Sequence, residues 1–373
     1  MKLIKKNEKI FIAGSSGMVG GALKRALLKR GYGDEHEGGK LLYPTRNNLN
    51  LEEYSEVERW FAKEKPSVVI IAAAKVGGIY ANNTMPYDFL LKNLKIQTNI
   101  IELAFKNNVD RLLFLGSSCI YPKFSKQPIL EDYLLGDSLE QTNEFYALAK
   151  ITGIKLCQSL RMQHGFDAIS LMPCNLYGPG DNYHPINSHV LPALIKKILS
   201  AKSKNLTEII CWGTGKPLRE FLYVEDLADA CIYALENWDP NSENAPKDRY
   251  GNNLSWLNVG SDFEVSIKEL AEIISKQCKY KGDIKWDHSK PDGTKRKKLD
   301  TSKMSDLGWR AKINLEKGIT KTLYAAAKFE YDKENPRQRQ QMYNLFIKKA
   351  FPGAVVSKSG MSTALPDDYP EYL

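Results

Sequence analysis

Short apolar runs alternate with longer amphipathic segments along the first half of the chain. The runs at residues 9–13, 40–44, 68–74, 111–117 and 168–173 have the length of buried strands and predict them. Between them, residues 17–30, 51–64, 87–107 and 142–165 carry apolar side chains at three- and four-residue steps, which predicts helices. This alternation is typical of βαβ units, so we predict an α/β fold with a doubly wound parallel sheet of the Rossmann type.

The regular alternation ends after residue 177, where the turn-rich segment 178–182 begins. A helix at 189–201, a strand near 209–212 and further elements at 265–278 predict a smaller α+β substrate lobe. We expect 221–237 to return to the large sheet, so that the two lobes are interleaved. The predicted cofactor domain comprises 1–178 and 221–260, and the substrate lobe 179–220 and 261–328. Residues 329–373 form a polar, proline-containing C-terminal extension with an apolar patch near 345–356.

Composition and charge restrict the function. The longest apolar run, at 68–74, is far shorter than the roughly 20 residues of a membrane helix. The lysine-rich start of the chain has no apolar core of the kind found in signal peptides. We therefore predict a cytoplasmic protein with no membrane partner. Six dispersed cysteines predict reduced thiols and no metal site. The net charge of +9 favours an anionic partner, and because the basic residues are scattered, a phosphorylated small molecule is favoured over nucleic acid.

A glycine-rich turn follows the first predicted strand. The pattern GSSGMVG at 14–20 opens a helix, where glycines permit a tight turn and the helix amides can face a pyrophosphate. The second strand ends in Tyr43-Pro44-Thr45-Arg46, without the acidic residue that an NAD enzyme presents to the ribose. Arg46 can pair with a 2′-phosphate, which favours NADP; the alternative is a solvated surface arginine.

A second pattern combines a strand-end serine with a tyrosine and a lysine. Ser117 ends the fourth strand, and Tyr146 and Lys150, four residues apart, share one face of the following helix. A lysine ammonium can lower the pKa of a nearby phenol and also reach the cofactor ribose. We therefore predict that Ser117 binds a carbonyl, Tyr146 delivers its proton and Lys150 tunes the tyrosine.

These residues resemble the short-chain dehydrogenase/reductase superfamily and, more closely, its GDP-L-fucose synthase branch. The resemblance covers about 9–324 and is dense in the motifs AAAKVGG at 72–78, LGSSCIYP at 115–122, NLYGP at 175–179, REF at 219–221 and KPDGT at 290–294. It implies conversion of GDP-4-keto-6-deoxy-D-mannose to GDP-L-fucose by 3,5-epimerisation and NADPH-dependent reduction. It also implies a homodimer formed through helices 87–107 and 142–165.

The resemblance also implies residue roles. Cys119 and His189 would be the base and the acid of epimerisation, beside the Ser117, Tyr146 and Lys150 set. The GDP-sugar would contact Lys197, Trp212, Arg219, Asp292, Arg296 and Lys297. The cofactor NADP(H) would contact Gly14, Ser15, Ser16, Gly17, Met18, Val19, Gly20, Arg46, Asn50, Leu51, Leu115, Gly116, Ser117, Ser118, Lys150, Pro173, Cys174, Asn175, Leu176 and His189.

Other interpretations stay open at this level. Taken alone, Cys119 could be a small buried hydrophobe, Trp212 a core residue, and the basic run at 295–298 a solvated surface, since not every member can reach one diphosphate. A nucleotide-sugar 4-epimerase or 4,6-dehydratase with bound NAD is the nearest alternative enzyme, and a non-catalytic relative that binds NADP or RNA is the alternative from another class. The combination of Cys119, His189 and Arg46 argues against the first, and the intact Ser117, Tyr146 and Lys150 set argues against the second.

Overall fold

Six parallel strands form the central sheet of the computed structural model, which describes residues 3–184, 188–290, 292–333, 355–356 and 362–364. The strands are β1 (Lys9–Ala13), β2 (Lys40–Leu42), β3 (Val68–Ile71), β4 (Arg111–Leu115), β5 (Ala168–Pro173) and β9 (Trp256–Val259). Their order is β2-β1-β3-β4-β5-β9, and each neighbouring pair is parallel. The direction of winding changes between β1 and β3, and such a switch point opens a crevice at the carboxyl ends of the strands.

Helices cover both faces of this sheet, as the predicted doubly wound fold requires. They are α1 (Met18–Lys29), α2 (Tyr54–Glu64), α3 (Ile79–Thr84), α4 (Pro86–Lys106), α5 (Glu144–His164) and α7 (Val224–Asn237). Helices α1 and α7 pack together on one face, and α2, α4 and α5 pack together on the other. Pro86 begins α4, and Gly165, with a φ of +69°, ends α5, which are the positions where these residues favour helix ends.

A smaller lobe is built on a second sheet. Its strands are β6 (Asn175–Tyr177), β8 (Leu218–Tyr223), β10 (Glu264–Ser266) and β12 (Arg296–Lys297), with β8 in the centre. Strands β7 (Glu208–Trp212) and β11 (Asp283–Asp287) form a parallel pair, and α6 (Val190–Ser203) packs against α8 (Ile267–Cys278). Ser266 and Glu269 form a reciprocal capping box that fixes the start of α8.

The prediction that 221–237 returns to the central sheet is correct for its helix and wrong for its strand. Helix α7 packs on α1, but β8 pairs with β6, β10 and β12, and the sixth strand of the central sheet is β9. Strand β8 serves two cores, because Leu222 packs in the larger one while Phe221 and Tyr223 pack in the smaller one. Leu299 and Met304, which the sequence places in the substrate lobe, also pack in the larger core.

The C-terminal part contains α9 (Ser302–Asp306) and α10 (Leu315–Lys333). Two short strands, β13 (Val355–Val356) and β14 (Ser362–Ala364), pair with each other. Most of the predicted extension at 329–373, including nearly all of the apolar patch at 345–356, lies outside the described residues. Within the described residues, no helix combines the length and the apolar character needed to cross a bilayer.

Candidate active site

The glycine-rich turn joins β1 to α1 at the carboxyl edge of the central sheet. Gly14 has a φ of +87°, and a Cβ there would lie 2.6 Å from the backbone nitrogen of Ala73. A Cβ on Gly20 would lie 2.2 Å from the Gly14 carbonyl oxygen, so a larger residue would force the turn and the helix apart. Helix α1 has no acidic residue in its first turn. The positive end of its dipole and its unpaired first amides therefore suit a pyrophosphate.

The rest of this turn holds the other predicted residues. Gly17 is the N-cap of α1, so Met18, Val19 and Gly20 form the first helical turn. The Gly17 amide donates to the Gly14 carbonyl at 3.1 Å, and the Ser15 hydroxyl donates to the Tyr43 carbonyl at 3.3 Å. Ser16 is exposed beside them. These bonds fix the turn against the chain that leaves β2.

Arg46 lies after β2, and its guanidinium is 78% exposed. It donates to Glu52 at 2.9 Å, and the Glu52 amide in turn donates to the side chain of Asn50 at 3.2 Å. The Leu51 carbonyl accepts from Asn99 at 3.0 Å, which holds this loop against α4. Arg46 can meet a second anion from solvent, but it shares its charge with Glu52.

The end of β4 presents the strand-end serine. The Ser117 hydroxyl accepts the Cys119 amide at 3.2 Å and caps a short 3-10 helix, Ser118–Ile120. A Cβ on Gly116 would lie 2.3 Å from the Met172 sulfur, so the chain needs glycine there to pass β5. Leu115 is buried and directs its carbonyl toward α5.

Tyr146 and Lys150 occupy one face of α5, directly beside this strand end. The Lys150 ammonium donates to the Leu115 carbonyl at 2.8 Å and is only 4% exposed, and this burial lowers its pKa to about 7. Burial raises the pKa of Tyr146, nearby Cys119 raises it further, and a hydrogen bond with Ser117 acts in the opposite direction. The Tyr146 hydroxyl is therefore protonated at neutral pH and can donate to a ligand oxygen.

Cys119 faces basic residues from the smaller lobe. The Lys297 ammonium donates to the Cys119 sulfur at 3.4 Å across β12. Burial lowers the pKa of the Arg219 guanidinium, while Cys119 and Asp292 raise it. His189 is the N-cap of α6 and part of its surface is exposed. Desolvation by the surrounding protein lowers the pKa of its imidazole, and the Lys297 charge lowers it further.

A pocket opens beside the Cys119 sulfur and connects the two lobes. Lys297 and Thr294 line it from the smaller lobe, and Asn143 lines it from the start of α5. The Asn143 side-chain oxygen is buried and accepts no hydrogen bond from the described residues. A buried acceptor without a donor is unfavourable, so this atom suits a ligand hydroxyl.

The remaining predicted substrate residues have protein partners of their own. Lys197 donates to the Ile210 carbonyl at 2.6 Å, and Trp212 is 66% exposed with the Lys290 ammonium 5.7 Å from its ring centroid. Asp292 accepts two hydrogen bonds from Thr214, which lower its pKa, and Arg296 forms a bidentate pair with Glu264. These residues line the smaller lobe, whereas Arg219 and Lys297 interact directly with Cys119.

The predicted cofactor residues after β5 lie where the chain passes from the large sheet to the small one. Pro173 ends β5, and the Cys174 amide donates to the Val259 carbonyl at 3.0 Å. Asn175 begins β6 and donates to the Glu220 carbonyl at 2.7 Å, and Leu176 follows it in that strand. This passage places the four residues at the same carboxyl edge as the glycine-rich turn.

Sequence reasoning missed several residues that complete the site. Asn143 precedes Tyr146 by three residues, a spacing that places two side chains on one helical face and could have indicated it. Thr214 orients Asp292, and Glu52 pairs with Arg46. These two contacts have no signal in the sequence, because the partners come together only through loops.

Comparison with known proteins agrees with this geometry. The model of the NAD dependent epimerase/dehydratase family matches residues 10–246. The chain is 52% identical over 317 residues to GDP-L-fucose synthase 1 of Arabidopsis thaliana, which covers 85% of this chain and 92% of that protein. It is 48% identical over 319 residues to GDP-L-fucose synthase of Escherichia coli, covering 84% and 95%. The solved structure of MlghC, a GDP-mannoheptose C4 reductase from Campylobacter jejuni with NADP bound, has a TM-score of 0.75 and 35% identity, covering 87% and 99%.

Proposed function

The chain belongs to the NAD dependent epimerase/dehydratase family, whose model spans more than half of its length, and from that premise we propose that it converts GDP-4-keto-6-deoxy-D-mannose to GDP-L-fucose. The observation that carries this proposal is the meeting of Cys119 with Ser117 and Tyr146 at the end of β4. A thiol that can move a carbon-bound proton thus lies beside two hydroxyls that can bind a carbonyl oxygen. The similarity to named GDP-L-fucose synthases supports the choice of sugar.

Epimerisation and reduction need the same oxygen site. In a 4-keto sugar the protons on C3 and C5 both flank the carbonyl, so removing either one moves the C–H electrons into an enolate with charge on O4. Tyr146 and Ser117 hold that oxygen and stabilise the charge. Cys119 takes the proton from one face of the ring, and His189 returns one to the opposite face. The same Tyr146 hydroxyl later protonates O4 during reduction.

The reduction requires NADP(H), which supplies the hydride to C4 when it is bound. The turn between β1 and α1 fits its pyrophosphate, because Gly14 and Gly20 let the backbone turn tightly and the first turn of α1 carries no acidic residue. Arg46 would provide a cation for the 2′-phosphate, and Lys150, which donates to the Leu115 carbonyl at the end of β4, would hold the ribose. The predicted cofactor residues from Leu115 to Ser118 border the same crevice.

Substrate binding is assigned to the smaller lobe. Arg219 interacts electrostatically with both Cys119 and Asp292, and Trp212 presents an exposed ring on which a guanine base can stack. Lys197 and Arg296 supply positive charge for the diphosphate. We assign 1–178 with 221–260 to cofactor binding, 179–220 with 261–328 to the substrate, and 329–373 to an extension, except that Leu299 and Met304 support the larger core.

The assembly we propose is a homodimer in the cytoplasm. Helices α4 and α5 pack side by side, and Tyr87 and Leu148 remain 72% and 38% exposed on them. All six cysteines are free thiols, which suits a reducing compartment. Light scattering should give about twice the 42.2 kDa mass of one chain, and a monomeric mass that persists at micromolar concentration would contradict the assembly.

The function is tested by mixing the purified protein with NADPH and GDP-4-keto-6-deoxy-D-mannose. The absorbance of reduced nicotinamide should decay only when the sugar is present, and the product should be inverted at both C3 and C5. Cys119→Ser should still oxidise NADPH but give a product that keeps the starting configuration at C3 and C5, because only the proton carrier is removed. Absence of substrate-dependent decay in the unmodified protein would refute the reductase.

A further inference from the structure

The basic run at 295–298 directs its side chains to different partners. Arg296 and Lys298 each form an ion pair with a carboxylate in the segment 262–264, at 2.5 Å and 2.8 Å. Lys297 lies between them and donates instead to the Cys119 sulfur at 3.4 Å. Arg296 and Lys297 alternate across β12, so the Arg296 side chain turns to Glu264 while the Lys297 ammonium contacts the thiol.

The charged and titratable groups near Cys119 come from three elements. Lys297 approaches from β12, the Arg219 guanidinium lies on β8, and the Tyr146 hydroxyl approaches from α5. Glu140, a carboxylate in the wall of the same pocket, pairs with a lysine of its own at 3.8 Å. Two cations and no unpaired carboxylate among these groups lie near the sulfur, and cations are the partners that stabilise a thiolate in proteins.

We propose that Lys297 is the residue that holds Cys119 as a thiolate, and that it serves the proton-transfer step rather than the GDP diphosphate. This inference rests on the proposed function for its chemical purpose, but the pairing itself is a property of the protein alone. Lys297 acts through Cys119 and is a positioning residue. Its ammonium, together with desolvation, also lowers the pKa of His189, so one cation favours the deprotonated sulfur and a more acidic imidazolium.

The resulting proton transfer is balanced. The thiolate forms an S–H bond with the proton next to the ketone, the C–H electrons form the enolate, and the His189 imidazolium donates its proton to the opposite face of that carbon. Solvent exchange then restores the thiolate and the imidazolium for the second centre. Without the Lys297 ammonium, the sulfur would lose the cation that donates to it, and removal of the carbon-bound proton should slow.

Alkylation tests the pairing without any substrate. Iodoacetamide is neutral, and its reaction forms an S–C bond and releases iodide only from the thiolate. Cys119 is half-buried while the other five cysteines are buried, so it is the thiol that reacts in the folded protein. Lys297→Met should react about tenfold more slowly than the unmodified protein at pH 7, with the two rates converging at high pH. Lys297→Arg should retain the fast rate, and Lys298→Met, which removes a neighbouring charge, should match the unmodified protein.

Peptide mapping confirms that Cys119 is the labelled site and that the variant is folded, because unfolding would also label the buried cysteines. An unchanged alkylation rate in Lys297→Met, or an Lys297→Arg rate as slow as that of Lys297→Met, would overturn the inference. So would a tenfold loss of GDP affinity with normal alkylation, because it would place Lys297 on the diphosphate. If the alkylation results hold and the sugar is not converted, the proposed function fails and the pairing stands.

Discussion

Replacing Lys150 with methionine should stabilise the protein near neutral pH while removing its activity. The Lys150 ammonium is 4% exposed, and burial lowers its pKa from 10.5 to about 7. At about 1.36 kcal/mol per pH unit, this difference corresponds to a destabilisation of about 5 kcal/mol when the ammonium is charged in the folded state. Methionine has a similar length and no charge, so it removes that destabilisation.

The sign follows from proton binding. The pKa of Lys150 is lower in the folded protein than in the unfolded chain, so the unfolded chain binds more protons between about pH 7 and pH 10.5. Stability of the unmodified protein therefore rises with pH in this window, by about 1.4 kcal/mol per pH unit in its middle. Below pH 7 both states hold the proton and the full destabilisation is present. Above pH 10.5 neither does, and the destabilisation is gone.

The variant also loses the hydrogen bond to the Leu115 carbonyl, which costs about 1–3 kcal/mol. Lys150→Met should thus be more stable than the unmodified protein at pH 6, and its advantage should shrink by about 2 kcal/mol between pH 7 and pH 9. Urea unfolding at several pH values measures this difference, with Lys281→Met, an exposed lysine, as the control. A difference that stays constant from pH 6 to pH 9 would show that burial does not perturb Lys150.

Three further predictions concern binding. Arg46→Ala should raise the KM for NADPH roughly tenfold and leave the KM for NADH unchanged, whereas Glu52→Gln should lower the KM for NADPH because it frees the guanidinium. An unchanged ratio of the KM values for NADPH and NADH in Arg46→Ala would show that the 2′-phosphate binds elsewhere. Gly20→Ala should lower both the melting temperature and the affinity for NADPH, because the added Cβ would lie 2.2 Å from the Gly14 carbonyl oxygen. Gly21→Ala should be tolerated, because the added Cβ would lie 3.4 Å from the flexible side chain of Arg25. Asn143→Ala should raise the KM for the sugar about tenfold with a smaller change in kcat, and Asn143→Asp, which keeps an acceptor oxygen, should restore part of the lost affinity. A KM for Asn143→Ala equal to that of the unmodified protein would show that Asn143 does not bind the sugar.

The large sheet could be predicted from the sequence because its strands are continuous apolar runs. Strands β1 and β5 have the predicted bounds, and β2, β3 and β4 end a few residues early where the chain turns toward the crevice. Strand β9 was missed because Asn258 interrupts its apolar pattern. That side chain is fully buried and bonds with the Tyr121 hydroxyl at 2.6 Å and the Ile129 carbonyl at 2.9 Å. A polar residue satisfied by distant partners resembles a loop residue in sequence.

The same limit applies to the active site. The spacing of Tyr146 and Lys150 predicts a shared helical face because both lie on one element. The contact between Lys297 and Cys119 joins residues that are 178 positions apart, so no local sequence pattern can predict it. Nor could the sequence indicate that Arg296 forms an ion pair with Glu264, whereas Lys297 beside it contacts Cys119.

Strand β8 determines how the two halves of the site meet. It packs in both cores, pairs with β12 on one side and β6 on the other, and carries Arg219 toward Cys119. Its Glu220 is fully buried and accepts the amides of Asp262 and Leu299 at 2.8 Å and 3.0 Å. Burial raises the pKa of Glu220, and these backbone donors oppose that rise. Because these bonds anchor the chain just before β10 and just after β12, this one carboxyl group supports the strand from which Lys297 reaches the thiol.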